Sequence, residues 1–338
     1  MADPRRILVT RLRRIGDAIL SLPVLDALRA AFPDAAIDYL AEEGPAQAAI
    51  GHPAVDRVHI LGRSLASILP ASPALLWKLR AARYDWVIDL YGNPRSAAIA
   101  AWTGARVRVG PARRGRRRLY THPMPPADRP LSAVDHHLRA LEILTITPKR
   151  VAPRITLDER ERAFGRARLD AVLPEGALRV GLHPGNRWPA KRWPEERFVA
   201  LARAIPRLGA RVVVLAGPGE EALAHRVGSP VIAGLTLRQS WSVLKALDAL
   251  VTVDGSPIHA GPAVGTPTVG ILGPTEPEIW FPYRAHDGHQ LLVKEIWCRP
   301  CHRHECFRMD CLDWISVGDA LQATARALHH GGRARAIA

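Results

Sequence analysis

Polar side chains that can bind an anion follow two apolar stretches late in the chain. Asp254, Gly255, Ser256 and His259 come directly after the apolar run 249–253, and a Gly-Pro-Thr turn follows the next apolar run at 273–275. Open α/β sheets bind ligands at the carboxyl ends of their strands, where helix N-termini and free backbone N–H groups meet. The segment predicts the floor of an anion or nucleotide site. The alternative is an ordinary α/β core with Gly and Pro in its turns.

A carboxylate stands near the other end of the chain, where the predicted first strand (7–11) becomes the predicted first helix (18–32). Gly16 and Asp17 lie at this junction. A carboxylate at a helix N-terminus is stabilised by the dipole, so Asp17 as a helix-capping residue is one interpretation. The other is a general base that accepts a proton from a hydroxyl in a cleft between two domains.

Two further turns carry charged side chains. Lys191 lies between two Trp-Pro pairs, in a stiff loop that can hold an ammonium group against phosphate oxygens, or in a merely exposed basic loop. Glu221 ends a Gly-Pro-Gly-Glu-Glu turn that lacks the third glycine of a dinucleotide fingerprint and the Lys-Ser/Thr pair of a P-loop. An acidic residue there is able to bind ribose hydroxyls, with a Glu pair at a helix N-terminus as the alternative.

Strands and helices alternate along the whole chain, which predicts parallel sheets with helices on both faces. A Pro-containing, charged stretch at 145–158 interrupts this alternation, which then restarts with a strand at 178–183 that opens into the turn around Gly185. We therefore expect domains at 1–150 and 151–315, followed by a C-terminal helix and tail at 316–338.

The charge balance favours an anionic partner. Lys and Arg outnumber Asp and Glu by 47 to 32, a net charge of +15, and the densest basic run is Arg106–Arg118. Aromatic residues do not interleave this run and no nucleic-acid-binding motif is visible, so nucleic acid is disfavoured. The run is either a solvated loop or a contact for a phosphorylated or membrane-borne acceptor. Without an apolar span or a signal sequence, we expect a cytoplasmic protein.

All four cysteines fall in one stretch, with two histidines among them. Cys298, Cys301, Cys306 and Cys311 have a zinc-like first spacing but an unusual second one. Reduced core thiols, a structural metal such as zinc, and an iron–sulfur centre are the three interpretations, since disulfides are disfavoured in a reducing cytoplasm.

Four pieces in this order make the chain resemble glycosyltransferase family 9, the heptosyltransferase family, along nearly its full length. They are Arg11–Ala18 with Leu22-Pro23, His183-Pro184-Gly185 with Lys191–Pro194, Gly217-Pro218 with Glu221, and Asp254–His259 with the turns at 265–267 and 273–275. The resemblance implies a GT-B fold, that is, two Rossmann-like doubly wound domains facing a central cleft. The acceptor would bind the N-terminal domain and the nucleotide sugar the C-terminal domain.

The resemblance also implies a reaction. Family members transfer L-glycero-D-manno-heptose from ADP-heptose to the lipopolysaccharide inner core with inversion and without a metal or other cofactor. In that scheme Asp17 is the general base, Lys191 and the segment Asp254–His259 bind the diphosphate, Glu221 the ribose and Arg11 an acceptor phosphate. Gly16, Gly185, Gly255 and Ser256 would line the substrate sites. We expect a monomer at the inner face of the anionic inner membrane.

Two departures from the family pattern affect these expectations. The hydroxyl residue that usually follows the Asp directly is displaced by one position, since the order here is Gly255-Ser256. Small hydroxyl residues usually precede Gly-Asp, whereas this chain has Arg13-Arg14. The arginines favour a more anionic acceptor or a different one.

Other functions are compatible with the same patterns. One is transfer of another sugar from another nucleotide donor, another is a GT-B-like sugar-nucleotide epimerase that needs no acceptor, and a third is a basic binding protein without catalysis. A nicotinamide dehydrogenase is disfavoured by the missing glycine fingerprint.

Overall fold

The computed structural model describes residues 3–62 and 71–335, and the chain divides into two compact units, Met1–Thr156 and Leu157–Ala338. Each unit holds one six-stranded parallel sheet. The division follows Thr156, within the stretch 145–158 expected to be the linker. The C-terminal helix packs into the core of the second unit, and residues 336–338 of the expected tail lie outside the described residues.

The sheet of the first unit has the order β3-β2-β1-β4-β5-β6, in which the chain reverses direction across the sheet between β1 and β4. This is the Rossmann order. Its strands are β1 (Arg6–Thr10), β2 (Ala36–Glu42), β3 (Arg57–Leu61), β4 (Trp86–Asp89), β5 (Val107–Pro111) and β6 (His122–Met124). Its helices are α1 (Ile15–Ala31), α2 (Glu43–Ala46), α3 (Pro73–Ala81), α4 (Pro94–Trp102) and α5 (Ala133–Glu142).

The sheet of the second unit repeats this arrangement, with the order β12-β11-β10-β7-β8-β9 and the reversal between β7 and β10. Its strands are β7 (Leu178–His183), β8 (Ala210–Leu215), β9 (Val231–Ile232), β10 (Ala249–Val253), β11 (Thr268–Ile271) and β12 (Gln290–Leu292). Its helices are α6 (Glu159–Asp170), α7 (Glu195–Ala204), α8 (Glu221–Arg226), α9 (Leu237–Lys245), α10 (Pro257–Ala263), α11 (Pro277–Trp280), α12 (Asp310–Asp313) and α13 (Val317–Arg335).

The central strands are largely apolar because both faces of each sheet are covered by helices. In the first unit α3 and α4 pack on one face of the sheet through Leu76, Leu79 and Ile99, and α1 packs against α5. In the second unit α13 contributes Ala320, Ala323 and Ala327 to the main core. The predicted fold class, two Rossmann-like doubly wound sheets, is confirmed.

Two local expectations differ from the structure. The basic run Arg106–Arg118, for which a loop was one interpretation, contains strand β5: Val107 and Val109 are buried in the sheet, and the Arg108 guanidinium donates to the backbone carbonyls of Ala105 and Leu119. Helix α1 begins at Ile15 and not at residue 18, so Gly16 and Asp17 belong to its first turn.

In the described ranges, no helix is sufficiently long and apolar to span a bilayer.

Helices α6 and α9 cross with their backbones in direct contact. A Cβ on Gly165 of α6 would overlap the backbone carbonyl of Ser242 in α9. The crossing therefore requires glycine at this position.

We expect Gly165→Ala to lower the free energy of unfolding by about 1–3 kcal/mol, because overlap with a backbone carbonyl outweighs the better helix propensity of alanine. Gly318→Ala in α13 is the matched control, since a Cβ there meets no atom closer than 3.6 Å and should leave stability unchanged or increase it. Urea denaturation measures both. Equal stability of the two variants would contradict the close crossing.

Candidate active site

The first candidate site lies where strand order reverses in the first unit, at the carboxyl ends of β1 and β4. Asp17 Oδ1 lies 3.0 Å from Arg11 Nη2. The N-cap residue of α1 is Arg14, which has a left-handed φ of 67° and makes no side-chain cap. Such a conformation is uncommon for a residue other than glycine and is often found at functional sites. Asp17 thus pairs with a buried arginine and is not the N-cap residue of α1.

Arg11 is buried and has hydrogen-bonding capacity left over. Its guanidinium lies 4.7 Å from the ring centroid of Tyr91, which follows β4. Among the described residues its Nε and Nη1 atoms are buried and make no hydrogen bond. Buried guanidinium donors without partners are costly, so they mark a place where a ligand can supply the acceptors.

A buried carboxylate shapes the turn that holds Tyr91. Asp89 accepts hydrogen bonds from the Thr10 hydroxyl at 3.0 Å, the Tyr120 hydroxyl at 2.6 Å and the backbone N–H groups of Tyr91 and Gly92. These bonds tie β1, β4 and the segment after β5 together beneath Arg11. Sequence reasoning missed Asp89, although a polar residue ending an otherwise apolar strand was a usable signal.

The arginines of this site also lower the pKa values of two adjacent histidines on α5. Burial lowers the pKa of His136, and the charges of Arg139, Arg11 and Arg113 lower it further. Burial, with smaller effects of Arg11 and His136, holds the pKa of His137 well below its usual value. Burial and the nearby arginines therefore both favour the neutral form of these rings. Neither histidine was singled out from the sequence, where they resemble ordinary helix residues.

The second candidate site lies at the equivalent reversal in the second unit, at the carboxyl ends of β7 and β10. Lys191 Nζ lies 2.6 Å from Asp254 Oδ2, and the Thr275 hydroxyl donates to the same oxygen at 2.6 Å. The Lys191 ammonium also lies 4.6 Å from the ring centroid of Trp188. The structure therefore brings together residues from two of the predicted motifs, and Asp254 orients the lysine.

Asn186 connects these two turns and was missed in the sequence. Its Nδ2 donates to the backbone carbonyl of Asp254 at 2.6 Å, while its Oδ1 accepts the N–H of Trp188 at 2.8 Å. A Cβ on Gly255 would come within 3.2 Å of Asn186 Nδ2, so glycine at 255 permits this bond. An amide in the turn that follows a strand was the only signal in the sequence.

Of the two consecutive glutamates, Glu220 faces this site. Its Oε2 accepts the Gly217 N–H at 2.9 Å and lies 3.4 Å from His183 Nε2. A Cβ on Gly185 would overlap the Glu220 carboxylate, so the predicted site residue Gly185 is the glycine that admits it. Burial lowers the pKa of His183, and Glu220 opposes that shift. Glu221 begins α8 and is exposed; its predicted contact with ribose stays a prediction.

The remaining predicted contacts lie at the start of α10. Ser256 is its N-cap, makes no side-chain cap and accepts the backbone N–H groups of His259 and Ala260. His259 is buried, and its Nδ1 lies 3.3 Å from the Tyr283 hydroxyl. This packing is one of the two interpretations that the sequence allowed for the histidine.

The cysteine-bearing segment packs against the second candidate site. The His304 ring stacks on Trp188 with centroids 3.8 Å apart, and its carbonyl accepts the Ala190 N–H at 3.0 Å. Arg299 Nε donates to the Gly273 carbonyl at 2.8 Å, and the Cys301 N–H donates to the Pro274 carbonyl. The segment therefore supports the Trp188–Lys191 loop and the turn that contains Thr275.

The four cysteines are free thiols, each partly buried. Backbone N–H groups of Met309 and Arg308 lower the pKa of Cys306, whereas burial, with the other thiols, raises the pKa of Cys311 to about 11. Across residues 3–62 and 71–335, no three His, Cys, Asp or Glu side chains are grouped to hold a metal ion. A metal at Cys298, Cys301, Cys306 and Cys311 stays a prediction, beside the reduced thiols and the iron–sulfur centre that the sequence also allowed.

The Lys191–Asp254 pair allows a test that does not depend on function. Removing one partner leaves the other charge largely buried, so we expect Lys191→Met and Asp254→Asn each to cost about 1–3 kcal/mol of stability. The double variant should lose at least about 1 kcal/mol less than the sum of the two. Urea denaturation of all four proteins closes the cycle. Additive losses would show that the two groups do not interact in solution.

His137 gives an expected pH dependence of stability. The folded protein keeps this ring neutral, whereas the unfolded chain takes up a proton near pH 6.5. Stability contributed by the neutral ring is therefore present above about pH 6.5 and lost as the pH falls below it, by up to about 1.4 kcal/mol per pH unit. We expect His137→Leu to flatten the fall in stability between pH 7 and 5. An unchanged slope in chemical denaturation would contradict this assignment.

The chain is similar to known proteins over nearly its whole length. Residues 73–311 match the family described as glycosyltransferase family 9 (heptosyltransferase). The chain is 26% identical over 340 residues to lipopolysaccharide heptosyltransferase 3 of Escherichia coli (strain K12). The aligned region covers 94% of this chain and 96% of that protein.

Solved structures agree. A glycosyl transferase family 9 structure from Veillonella parvula DSM 2008 superimposes with a TM-score of 0.83 at 25% identity, covering 96% of this chain and 97% of the other. The structure of E. coli ADP-heptose lps heptosyltransferase II gives a TM-score of 0.77 at 21% identity, covering 96% and 98%. The resemblance predicted from the four motifs is thus confirmed, and the chain belongs to glycosyltransferase family 9, the heptosyltransferase family.

Proposed function

We propose that this transferase moves heptose from ADP-L-glycero-D-manno-heptose to the lipopolysaccharide inner core, with inversion at the anomeric carbon. The observation that carries the proposal is the Asp17–Arg11 pair at the strand-order reversal of the first unit. The two lipopolysaccharide heptosyltransferases named above support the sugar and the acceptor, and the name of the E. coli heptosyltransferase II supports ADP as the nucleotide.

Asp17 is proposed as the general base. Arg11 approaches its Oδ1 to 3.0 Å, and the Asp17 side chain remains 14% exposed, so an acceptor hydroxyl can reach the carboxylate. The acceptor oxygen gives its proton to Asp17 and forms a bond to the anomeric carbon. The bond from that carbon to the diphosphate oxygen breaks on the opposite face, and its electron pair leaves with ADP.

Arg11 is proposed to bind an anionic group of the acceptor. Its buried Nε and Nη1 donors are the ones without partners among the described residues, and they lie on the same guanidinium that orients Asp17. An acceptor phosphate or carboxylate bound there would place a neighbouring hydroxyl close to the base. Such orientation lowers the barrier because less freedom is lost in the transition state.

Lys191 is proposed to stabilise the negative charge that grows on the departing diphosphate, with the Gly255-Ser256 turn beside it. Asp254 and the Trp188 ring hold the ammonium group before the ligand arrives, so little reorganisation is needed. The proposed reaction uses these fixed groups and requires no cofactor. Glu220 and Glu221 are the two candidates for the ribose contact. Glu220 is the one whose carboxylate faces the turn after β7.

A different anionic acceptor is the second candidate. The Arg13-Arg14 pair favours it, although Arg13 is held by Glu42, with its Nε 2.7 Å from Glu42 Oε1. This ion pair raises the pKa of Arg13 and leaves Arg14 as the arginine of the pair more open to a ligand.

Transfer to a truncated lipopolysaccharide acceptor, followed as ADP release from ADP-heptose, tests the proposal. We expect Asp17→Asn to lower kcat/KM by about 10²–10⁴-fold, since it removes the base and keeps the shape of the side chain. Asp34→Asn, an exposed aspartate beyond the end of the same helix, is the matched control and should keep full activity.

The outcomes separate the alternatives. ADP release that requires both the acceptor and Asp17 supports the proposed transfer. Conversion of the sugar nucleotide without any acceptor would support the epimerase instead. Full turnover by Asp17→Asn would exclude Asp17 as the base.

A further inference from the structure

The positive charge of this chain is concentrated in one stretch of the first unit. Residues 57–127 contain thirteen Lys and Arg and two acidic residues, an excess of eleven in a chain with a net charge of +15. The stretch runs from β3 to just beyond β6 and includes α3 and α4.

Both acidic residues of this stretch already accept hydrogen bonds within the first unit. Asp85 Oδ2 accepts the backbone N–H groups of Arg5 and Arg6 at 2.8 and 2.9 Å. Asp89 is fully buried beneath the first candidate site. The surface that this stretch contributes therefore carries cations with few compensating anions of its own.

Two exposed tryptophans lie on this basic surface. Trp77 in the middle of α3 is 74% exposed, and Trp102 at the end of α4 is 52% exposed. The Trp102 indole N–H donates to the carbonyl of Leu76 at 3.0 Å, and Arg80 Nη1 donates to the carbonyl of Trp102 at 3.0 Å. These two bonds hold the Trp102 indole and the Arg80 guanidinium against α3, the helix that carries the exposed Trp77.

The core does not account for the exposure of Trp77. Helix α3 already buries Leu76 and Leu79 against the sheet, and Trp77, Lys78 and Arg80 occupy its outer side. Neither α3 nor α4 contains an acidic residue. We call Trp77, Lys78, Arg80 and Trp102 the α3–α4 surface.

We propose that the α3–α4 surface docks the enzyme on an anionic phospholipid bilayer. Tryptophan favours the boundary between headgroups and acyl chains because its ring is apolar and its N–H is polar. Lysine and arginine beside it are attracted by the negative potential of anionic lipids. A second copy of the chain would bring like charges together on this surface, so it is the poorer occupant.

The inference rests on the proposed function, since a lipid-linked acceptor gives the enzyme a reason to approach a membrane. It goes further by assigning the surface that makes the contact. Binding and catalysis can be measured separately, so failure of one is distinguishable from failure of the other.

The test is co-sedimentation of the full chain with vesicles of phosphatidylglycerol and phosphatidylethanolamine, compared with vesicles of phosphatidylcholine. We expect binding to the anionic vesicles that weakens with salt. Trp77→Ala with Trp102→Ala should weaken it at least about tenfold, and Lys78→Gln with Arg80→Gln by about fivefold per charge. Turnover with a water-soluble, delipidated acceptor should stay unchanged in both variants.

Trp297→Ala with Trp314→Ala is the matched control, because these indoles of the second unit are 83% and 57% exposed. It should bind vesicles like the wild type. Since Trp102→Ala also removes a hydrogen bond, Trp77→Ala alone and Lys78→Glu are measured as well, and both should weaken binding. Wild-type vesicle binding by these two variants, equal binding to neutral vesicles, or preferential binding of single-stranded RNA would overturn the proposal.

Discussion

The reversal of strand order in each sheet is the constraint on which both candidate sites depend. Between β1 and β4, and again between β7 and β10, neighbouring strands send their following segments to opposite faces of the sheet. The carboxyl ends of these strands are therefore left open between helices. Asp17 and Arg11 lie at the first reversal, and Lys191 and Asp254 lie at the second.

Both sites contain a carboxylate paired with a cation that is removed from water, but the two pairs differ in what else they can bind. Each places a carboxylate against a buried or half-buried cation, which lowers the cost of removing either charge from water. In the first unit the arginine retains donors without partners among the described residues, so that site can take a further anion. In the second unit Lys191 and Thr275 both contact Oδ2 of Asp254, and this carboxylate holds the lysine in place.

The charged side chains of both sites are held in place by neighbouring residues to which we assign no part in the reaction. Asp89 fixes the turn beneath Arg11, Asn186 joins two turns in the second unit, and His304 stacks on the tryptophan that contacts Lys191. The cysteine-bearing segment thus has a structural role that its residue types do not suggest. The α3–α4 surface is separate from these networks, because its tryptophans are not needed to complete the core.

The sequence by itself determined the fold class and the turns that carry Asp17, Lys191 and Asp254, because hydrophobic periodicity and glycine-containing turns are local properties. The resemblance assigned the ribose contact to Glu221, whereas the neighbouring Glu220 is the residue whose carboxylate lies against Gly185. The sequence does not reveal this difference, because it depends on the geometry of the turn. It also did not reveal β5 within the basic run, because the burial of Val107 and Val109 depends on neighbouring strands. The pairing of Lys191 with Asp254 was decided by tertiary structure alone, because residues distant in the chain meet only when β7 and β10 become neighbours in the sheet.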